Sequence, residues 1–232
     1  AYQTRHGISA DAFAEVVVRS RAAARLNSDA CRRDAVTRAD VLGSRPIADP
    51  VTLFQCTPNA DGAATVVVVA DHLRVRSPHP QVDLASLVLR SGIPKDRFSG
   101  TSLVRRTARV AYDQAGVDPR DIGVVELHDA FAPAALTYLE SLDLTASGSA
   151  ADRLLAGGGE PALNVGGGLL SRGHPPGATG LAQVTELVRQ LRGEAGDRQL
   201  ADPGVALVHT MGGTILELEA NACTVGILRR AD

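Results

Sequence analysis

Residues 121–142 of this chain read DIGVVELHDAFAPAALTYLESL, and this stretch decides the fold class. Its first part, 121–127, is a short apolar run that is typical of a buried strand. Its second part, 130–142, predicts a helix, in which Pro133 is tolerated because it falls in the first turn. The stretch therefore predicts a strand followed directly by a helix, with His128 and Asp129 at the junction.

The same alternation of strands and helices continues on both sides of this unit. Further predicted elements are a helix over 9–26 capped by Ser9, a strand over 82–92, helices over 102–115 and 177–193, and two closing strands over 204–210 and 214–230. We expect the two closing strands to be antiparallel. This order predicts an α/β layered domain with a mixed sheet between helices.

Two more apolar, β-branched runs lie upstream, VTLFQC at 51–56 and AATVVVVAD at 63–71. The turn-forming TPNADG between them predicts two strands with a tight polar connection. Residues 27–50 are polar and contain Pro46 and Pro50, which is typical of a surface excursion. The segment SPHPQ at 77–81 has the composition of a linker and predicts a boundary there.

Composition excludes several classes of function. A net charge of −2 gives no support for nucleic-acid binding, which needs clustered basic residues. Three widely spaced cysteines argue against a disulfide framework and against a zinc or other metal site, and favour a reducing, cytoplasmic compartment. No apolar run reaches the ~18 residues of a membrane span, and no signal peptide is visible.

Three of the six histidines lie at strand ends or beside glycine-rich turns. His128 follows one predicted strand, His209 nearly ends another, and His174 precedes a predicted helix. Because ligands collect at the carboxyl ends of strands in open α/β sheets, we expect all three to reach one pocket. The alternative for each is an imidazole with a structural hydrogen bond, which is the commoner situation for a single histidine.

The segment SRGHPPGATG at 171–180 surrounds His174 with glycines. A helix beginning near Gly177 would place partial positive charge beside the imidazole, so we expect His174 to be neutral near pH 7 and able to accept a proton. Glycines such as Gly173 allow the backbone to approach a ligand closely, and loop N–H groups can bind an oxyanion. The glycine spacing does not match a dinucleotide fingerprint or a phosphate-binding loop.

Three motifs in order, HDAFAP, NVGGGLLSRGHPPGATG and ALVHTMGG, resemble the C-terminal half of thiolases of the sterol-carrier-protein or lipid-transfer type. PVTLFQCTPNADGAATVVVVAD resembles the strand pair that closes the N-terminal half of that fold. The resemblance implies three parts of a thiolase-like layered fold. These are part of a loop domain that covers the CoA site (1–46), the last strands of the N-terminal half (47–77) and the C-terminal domain (78–232).

The resemblance also implies roles for individual residues. His174 would be the base that activates a nucleophilic cysteine and a donor to the thioester oxygen. His128 replaces the usual asparagine and would help to hold that oxygen, and Asp129 would either orient His128 or cap the helix that follows. Gly212 and Gly213 match glycines whose N–H groups form a second oxyanion hole, where one donor is worth ~3 kcal/mol.

The chain departs from the family pattern in two respects. The nucleophilic cysteine of thiolases lies in the N-terminal half, and none of Cys31, Cys56 and Cys223 has its context, so we expect it upstream or on another chain. The family's acid/base cysteine is also missing, since the two places that can hold it contain HTMGG and Ala130. His209 is the only titratable group near the first place and is our candidate substitute acid/base.

Three functional hypotheses follow. The first is a thiolase-like acyl-CoA C-acyltransferase acting on a coenzyme A thioester, without a tightly bound cofactor, in lipid or sterol side-chain metabolism. The second is a retro-aldolase on a β-hydroxyacyl-CoA, and the third is a non-catalytic subunit that binds acyl-CoA or holds a complex together. The resemblance further implies a homodimer or tetramer and a small OB-fold, zinc-ribbon partner that binds acyl-CoA.

Overall fold

The computed structural model describes residues 2–74, 78–92, 100–158, 161–213 and 222–231, without side-chain detail at 100–102. The helices are α1 (Tyr2–His6), α2 (Ala10–Arg25), α3 (Arg38–Gly43), α4 (Gly100–Ala115), α5 (Ala132–Ser141), α6 (Ala150–Leu155) and α7 (Thr179–Arg192). The strands are β1 (Pro46–Ala48), β2 (Val51–Thr52), β3 (Val82–Ser91), β4 (Ile122–Glu126), β5 (Ala162–Leu163), β6 (Val205–Gly212) and β7 (Ala222–Arg230).

The main sheet is mixed, with the strand order β3-β7-β6-β4-β5. β4 is parallel to both β5 and β6, whereas β7 is antiparallel to both β3 and β6. The parallel strands bring their carboxyl ends to one edge of the sheet. The predicted α/β class, the mixed sheet and the antiparallel closing strands are confirmed.

Alternate side chains of the central strands enter two separate apolar cores. On one face, Val124 and Val208 pack against Leu187 and Leu191 of α7. The core on the other face contains residues of α2, α4 and α5 together with Val125, Leu207, Val225 and Ile227 of the sheet. Because strand side chains alternate with a period of two, His209 points to the same face as Leu207, toward α5.

Helix α2 belongs to the second of these cores. It begins where predicted, because the Ser9 side chain accepts a hydrogen bond from the Ala12 N–H. Its buried residues Phe13, Val16 and Val17 lie in one cluster with side chains of β4 and α5. The division of the chain at residues 46 and 77 stays a prediction, and residues 75–77 lie outside the described ranges.

The prediction of two strands over 51–56 and 63–71 is wrong. Only Val51–Thr52 forms a strand, and it continues into a single 3₁₀ turn, Leu53–Gln55. Val67, Val68 and Val69 are 87%, 73% and 55% exposed in an extended segment. A β-branched run forms a strand only when another strand supplies its hydrogen bonds. Among the described residues, none pairs with this segment.

The remaining differences concern shorter elements. The helix predicted over 177–193 begins at Thr179, and the first part of the strand predicted over 214–230 lies outside the described residues. The elements that were not predicted are α1, α3, α6, β1, β5, several single 3₁₀ turns and a π-helical turn, Gly168–Arg172. Each is six residues or shorter, which is too short for apolar periodicity to show.

None of the helices in the described ranges combines the length and apolar character that crossing a membrane requires.

Candidate active site

The candidate site lies at the carboxyl ends of the three parallel strands. His128 is two residues beyond β4, and the loop 164–178 that carries His174 follows β5. His209 lies within β6, where Val208 is in register with Glu126 of β4. As expected from the strand ends, the sheet brings three histidines from separate parts of the chain to one edge.

The glycine-rich loop is held against the β4–α5 junction by buried polar side chains. The Asp129 carboxylate accepts a 2.7 Å hydrogen bond from the Leu169 N–H, and the Asn164 Oδ1 accepts one of 2.7 Å from the Leu127 N–H. Burial raises the pKa of Asp129 to about 6. Asp129 does not cap α5, because the N-cap of that helix is Phe131 and no side chain bonds there. Asp129 therefore fixes the loop that leads to His174.

Gly173 allows the loop to pass close to two neighbouring segments. Its φ of 107° lies in the left-handed region, and a Cβ would lie 2.8 Å from the Ala60 Cβ and 2.9 Å from the Cys31 Sγ. Its N–H donates to the Leu169 carbonyl at 3.2 Å. Gly173 thus allows the loop to adopt a left-handed conformation and to lie close to Ala60 and Cys31. Its N–H is already hydrogen-bonded within the loop.

The hydrogen bonds of His174 define which ring nitrogen carries the lone pair. The Thr179 Oγ1 donates its single proton to the Pro175 carbonyl at 2.9 Å and lies 2.7 Å from His174 Nδ1. We assign the hydroxyl proton to the Pro175 carbonyl, which makes Nδ1 the donor and leaves the lone pair on Nε2. Burial lowers the pKa of His174, and the Arg172 cation lowers it further. The imidazole is neutral at pH 7, although α7, expected to be the main cause, begins only at Thr179.

His128 lies against His174 in an edge-to-face contact. The ring centroids are 4.9 Å apart and the planes are perpendicular. Burial, with the neighbouring His174, lowers the pKa of His128 to about 4. His128 Nδ1 is buried and has no hydrogen-bond partner within the described part of the chain. Because a buried N–H without an acceptor is costly, we place the proton on Nε2, which makes His128 a donor.

His209 is fully buried beneath this pair, at 0% exposure. Its ring packs on Tyr138 of α5, with centroids 4.6 Å apart. Neither ring nitrogen has a partner among the described residues, and burial, with His128 nearby, lowers its pKa to about 3. This setting does not favour the acid/base role, since the ring is neutral at pH 7 and is shielded from solvent.

The burial of His209 predicts how stability depends on pH. Below pH 6.5 the unfolded chain protonates this histidine, whereas the folded protein does so only near pH 3. Relative to His209→Phe, the wild type therefore loses about 1.4 kcal/mol of unfolding free energy per pH unit as the pH falls below 6.5. Urea titrations of both proteins between pH 7.5 and 4.5 measure this slope. A difference in unfolding free energy between the two proteins that does not vary with pH would contradict this prediction.

Gly212 and Gly213 lie farther along β6. Gly212 is the last residue of the strand, paired with Ala222 of β7, and Gly213 follows with a φ of 71°. Both are exposed. They stand at the same end of the sheet as the histidines, and their role as oxyanion donors stays a prediction.

The cysteines lie around the site and do not form a recognisable catalytic group. Cys31 is exposed beside Gly173, Cys56 is half-buried, and Cys223 is buried in β7. Burial raises the pKa of the Cys56 and Cys223 thiols. Within the described residues, no group of three or more histidine, cysteine, aspartate or glutamate side chains is arranged to hold a metal ion.

Sequence reasoning did not identify four residues that shape the site: Asn164, Arg172, Thr179 and Glu126. Asn164 has a left-handed φ of 47°, which is uncommon for a residue other than glycine and marks a position under constraint. Thr179 follows His174 by five residues, so its contact exists only because the intervening turn folds back. Beside His174, residues 60–64 and 175–178 line a shallow open depression.

Comparison with known proteins places these features in context. A family model described as "Thiolase C-terminal domain-like" matches residues 93–223. The chain is 36% identical over 225 residues to a benzoylsuccinyl-CoA thiolase subunit, BbsB, of Thauera aromatica, covering 91% of this chain and 57% of that protein. It is 36% identical to human sterol carrier protein 2, covering 78% of this chain and 35% of that protein.

Among solved structures, an Ltp2-ChsH2(DUF35) aldolase superposes with a TM-score of 0.83 at 25% identity. The match covers 99% of this chain and 60% of that one. The chain therefore spans between about a third and three fifths of the length of these relatives.

Proposed function

This chain belongs to the thiolase C-terminal domain-like family, and we propose that it makes or breaks a carbon–carbon bond next to a coenzyme A thioester, as a thiolase-like acyltransferase. In this proposal the thioester is the substrate and no tightly bound cofactor takes part. The nucleophilic thiol comes from outside these 232 residues. One observation carries the proposal: a neutral base and a neutral donor, His174 and His128, face each other at 4.9 Å.

The two imidazoles supply complementary halves of the reaction. His174 Nε2 takes the proton from the attacking thiol, because its Nδ1 is bound to Thr179. His128 donates from Nε2 to the thioester oxygen, on which negative charge develops when the bond to the neighbouring carbon breaks. Both roles require neutral rings, and burial keeps both pKa values below neutral pH.

Thr179 offers a test of the lone pair on His174 Nε2. Thr179→Val removes the Nδ1 partner while conserving shape, so we expect kcat to fall about fivefold, equivalent to one hydrogen bond of about 1 kcal/mol. Thr179→Ser keeps the hydroxyl and should restore most of the rate. Thr185→Val, on the exposed side of the same helix, is the matched control. Equal rates for Thr179→Val and Thr185→Val would refute the assignment.

A second candidate function, the retro-aldolase, is favoured by one specific observation. The two places where the family holds its acid/base cysteine contain Ala130 and the segment HTMGG. In cleavage of a β-hydroxyacyl-CoA, a base takes the hydroxyl proton as the C–C bond breaks, a donor stabilises the enolate oxygen, and the protonated base returns the proton to the enolate carbon. This reaction needs no thiol. A solved relative of 25% identity is itself called an aldolase.

Dependence on free CoA separates these functions. The full-length protein, with any co-purifying subunit, is incubated with a β-ketoacyl-CoA or a β-hydroxyacyl-CoA, with and without free CoA, and the products are identified by mass spectrometry. Two acyl-CoA products that form only with free CoA support the acyltransferase. A ketone or aldehyde released without CoA supports the retro-aldolase and overturns the first proposal. Binding without turnover of either substrate overturns both and leaves the non-catalytic subunit.

We also propose an assembly. Two relatives, a thiolase subunit and an Ltp2-ChsH2(DUF35) aldolase, have names that indicate assemblies of more than one protein. We infer that this protein forms a homodimer or tetramer in the cytoplasm and works with a small OB-fold, zinc-ribbon protein that binds acyl-CoA. Native mass spectrometry of the purified protein gives its copy number and identifies any such subunit.

A further inference from the structure

A buried arginine and a buried glutamate contact each other, each two residues before one of the histidines of the site. The Arg172 Nη1 is 3.6 Å from the Glu126 Oε2, and the two side chains are 11% and 0% exposed. Glu126 is the last residue of β4, and Arg172 is the last residue of the π-helical turn in the glycine-rich loop. The pair therefore joins the strand that leads to one histidine to the loop that carries the other.

The spacing along the chain makes this connection specific. His128 lies two residues beyond Glu126, and His174 lies two residues beyond Arg172. The two segments thus meet twice at the same offset, once through Arg172 and Glu126 and once through the two rings, whose centroids are 4.9 Å apart. A shift of the loop along β4 would break both contacts together.

We propose that Arg172 and Glu126 act as a positioning pair that sets the register of the His174 loop on strand β4, and so the geometry of the two imidazoles. Among the described residues, Glu126 Oε2 and Arg172 Nη2 have no hydrogen-bond partner, so the 3.6 Å approach of Arg172 Nη1 is the polar contact that the structure shows for Glu126 Oε2. The other oxygen of Glu126 accepts from the Gly166 N–H at 3.5 Å, which ties the start of the loop to the same carboxyl group.

The charges around His174 agree with this arrangement. Among the described residues, His128 from the end of β4 and Thr179 from α7 contact its ring, and Arg172 from its own loop acts on it electrostatically. Arg172 is the cation that lowers the pKa of His174. Burial raises the pKa of Glu126 to about 8, so the carboxyl group is largely neutral at pH 7 and the guanidinium charge is not cancelled there.

A second buried pair in this chain provides a matched control. Arg198 binds Glu186 of α7 through three contacts of 2.9 to 3.1 Å, and both side chains are as deeply buried as the positioning pair. Arg198 is not adjacent in sequence to either histidine. Because Arg198 makes more and shorter contacts, Arg198→Met should cost at least as much stability as Arg172→Met, whereas the histidine geometry should change only in Arg172→Met.

The test uses NMR of ring-labelled histidine in the full chain, with His174→Gln to assign the signal. For Arg172→Met we expect a higher pKa for His174 and loss of the ring-to-ring NOE to His128, and for Arg198→Met neither change. If Arg172→Met does not fold, Arg172→Lys keeps the charge without the guanidinium fork and should retain the pKa while weakening the NOE. Glu126→Gln keeps an oxygen toward Arg172 and should leave the pKa near that of the wild type.

An unchanged ring-to-ring NOE in the folded Arg172 variants would overturn the positioning role, whether or not the His174 titration moves, because loss of the cation alone shifts that titration. The inference rests on His174 being the base of the proposed reaction, but these readouts require no turnover. If the protein neither makes nor breaks a C–C bond, the proposed function is wrong, but the positioning role of Arg172 and Glu126 is not affected. Conversely, if the protein is active and Arg172→Met leaves the NOE between the two rings unchanged, only the positioning role of Arg172 and Glu126 is contradicted.

Discussion

Replacing Gly168 with alanine should lower the free energy of unfolding by about 4 kcal/mol. Gly168 has a φ of +57°, and a Cβ there would overlap the Asp129 carboxylate and lie 2.6 Å from the Asn164 Nδ2. The left-handed conformation accounts for about 1–2 kcal/mol of this loss. The rest comes from displacing Asp129, which is 1% exposed and would lose its hydrogen bond to the Leu169 N–H.

Gly116→Ala is the matched control for this effect. Gly116 has a similar φ of +64°, but a Cβ there would meet nothing within 4 Å. It should therefore cost only about 1 kcal/mol, from the backbone conformation alone. Urea unfolding of both variants measures the difference. Equal losses would mean that Asp129 does not hold the loop.

Replacing His174 with alanine should reduce kcat/KM by about 10²- to 10⁴-fold, the usual contribution of a positioned base. The reason is that no other group on the described part of the chain presents a neutral, accessible lone pair at this edge of the sheet. The folded state should be little affected, because His174 is only half-buried. Steady-state kinetics of the full-length protein, on whichever substrate it turns over, gives the ratio.

The exposed His72 provides the control for His174. His72→Ala should retain wild-type kcat/KM, and both variants should unfold at the same urea concentration. Wild-type activity in His174→Ala would rule out its role as base in either candidate reaction. A parallel loss of stability would instead assign the effect to folding of the loop.

The candidate site was predictable to the extent that it depends on the ends of strands. His128, Asp129, His174 and His209 were all identified, because strand and helix patterns on either side placed them at junctions. The sequence said less about the role of each of these residues. Asp129 was expected to orient His128 or cap α5, yet its carboxylate binds the Leu169 N–H, 40 positions away in the chain.

The pair of strands predicted upstream shows the corresponding limit for the fold. AATVVVVAD has the composition of a strand, but composition cannot supply the neighbour that a strand requires. The short helices α3 and α6 were not predicted for a different reason. Each spans six residues and contains too few apolar positions to show a helical period.

Local pattern alone determined the α/β order, most helix and strand positions, and the three histidines at one edge of the sheet. These depend on side-chain periodicity and on turn residues within a few positions along the chain. Only the tertiary structure decided the lone pair on His174, the burial of His209 and the contact between Arg172 and Glu126. Each of these depends on the distance between groups that are remote in sequence or brought together by a turn, and on how completely water is excluded from them.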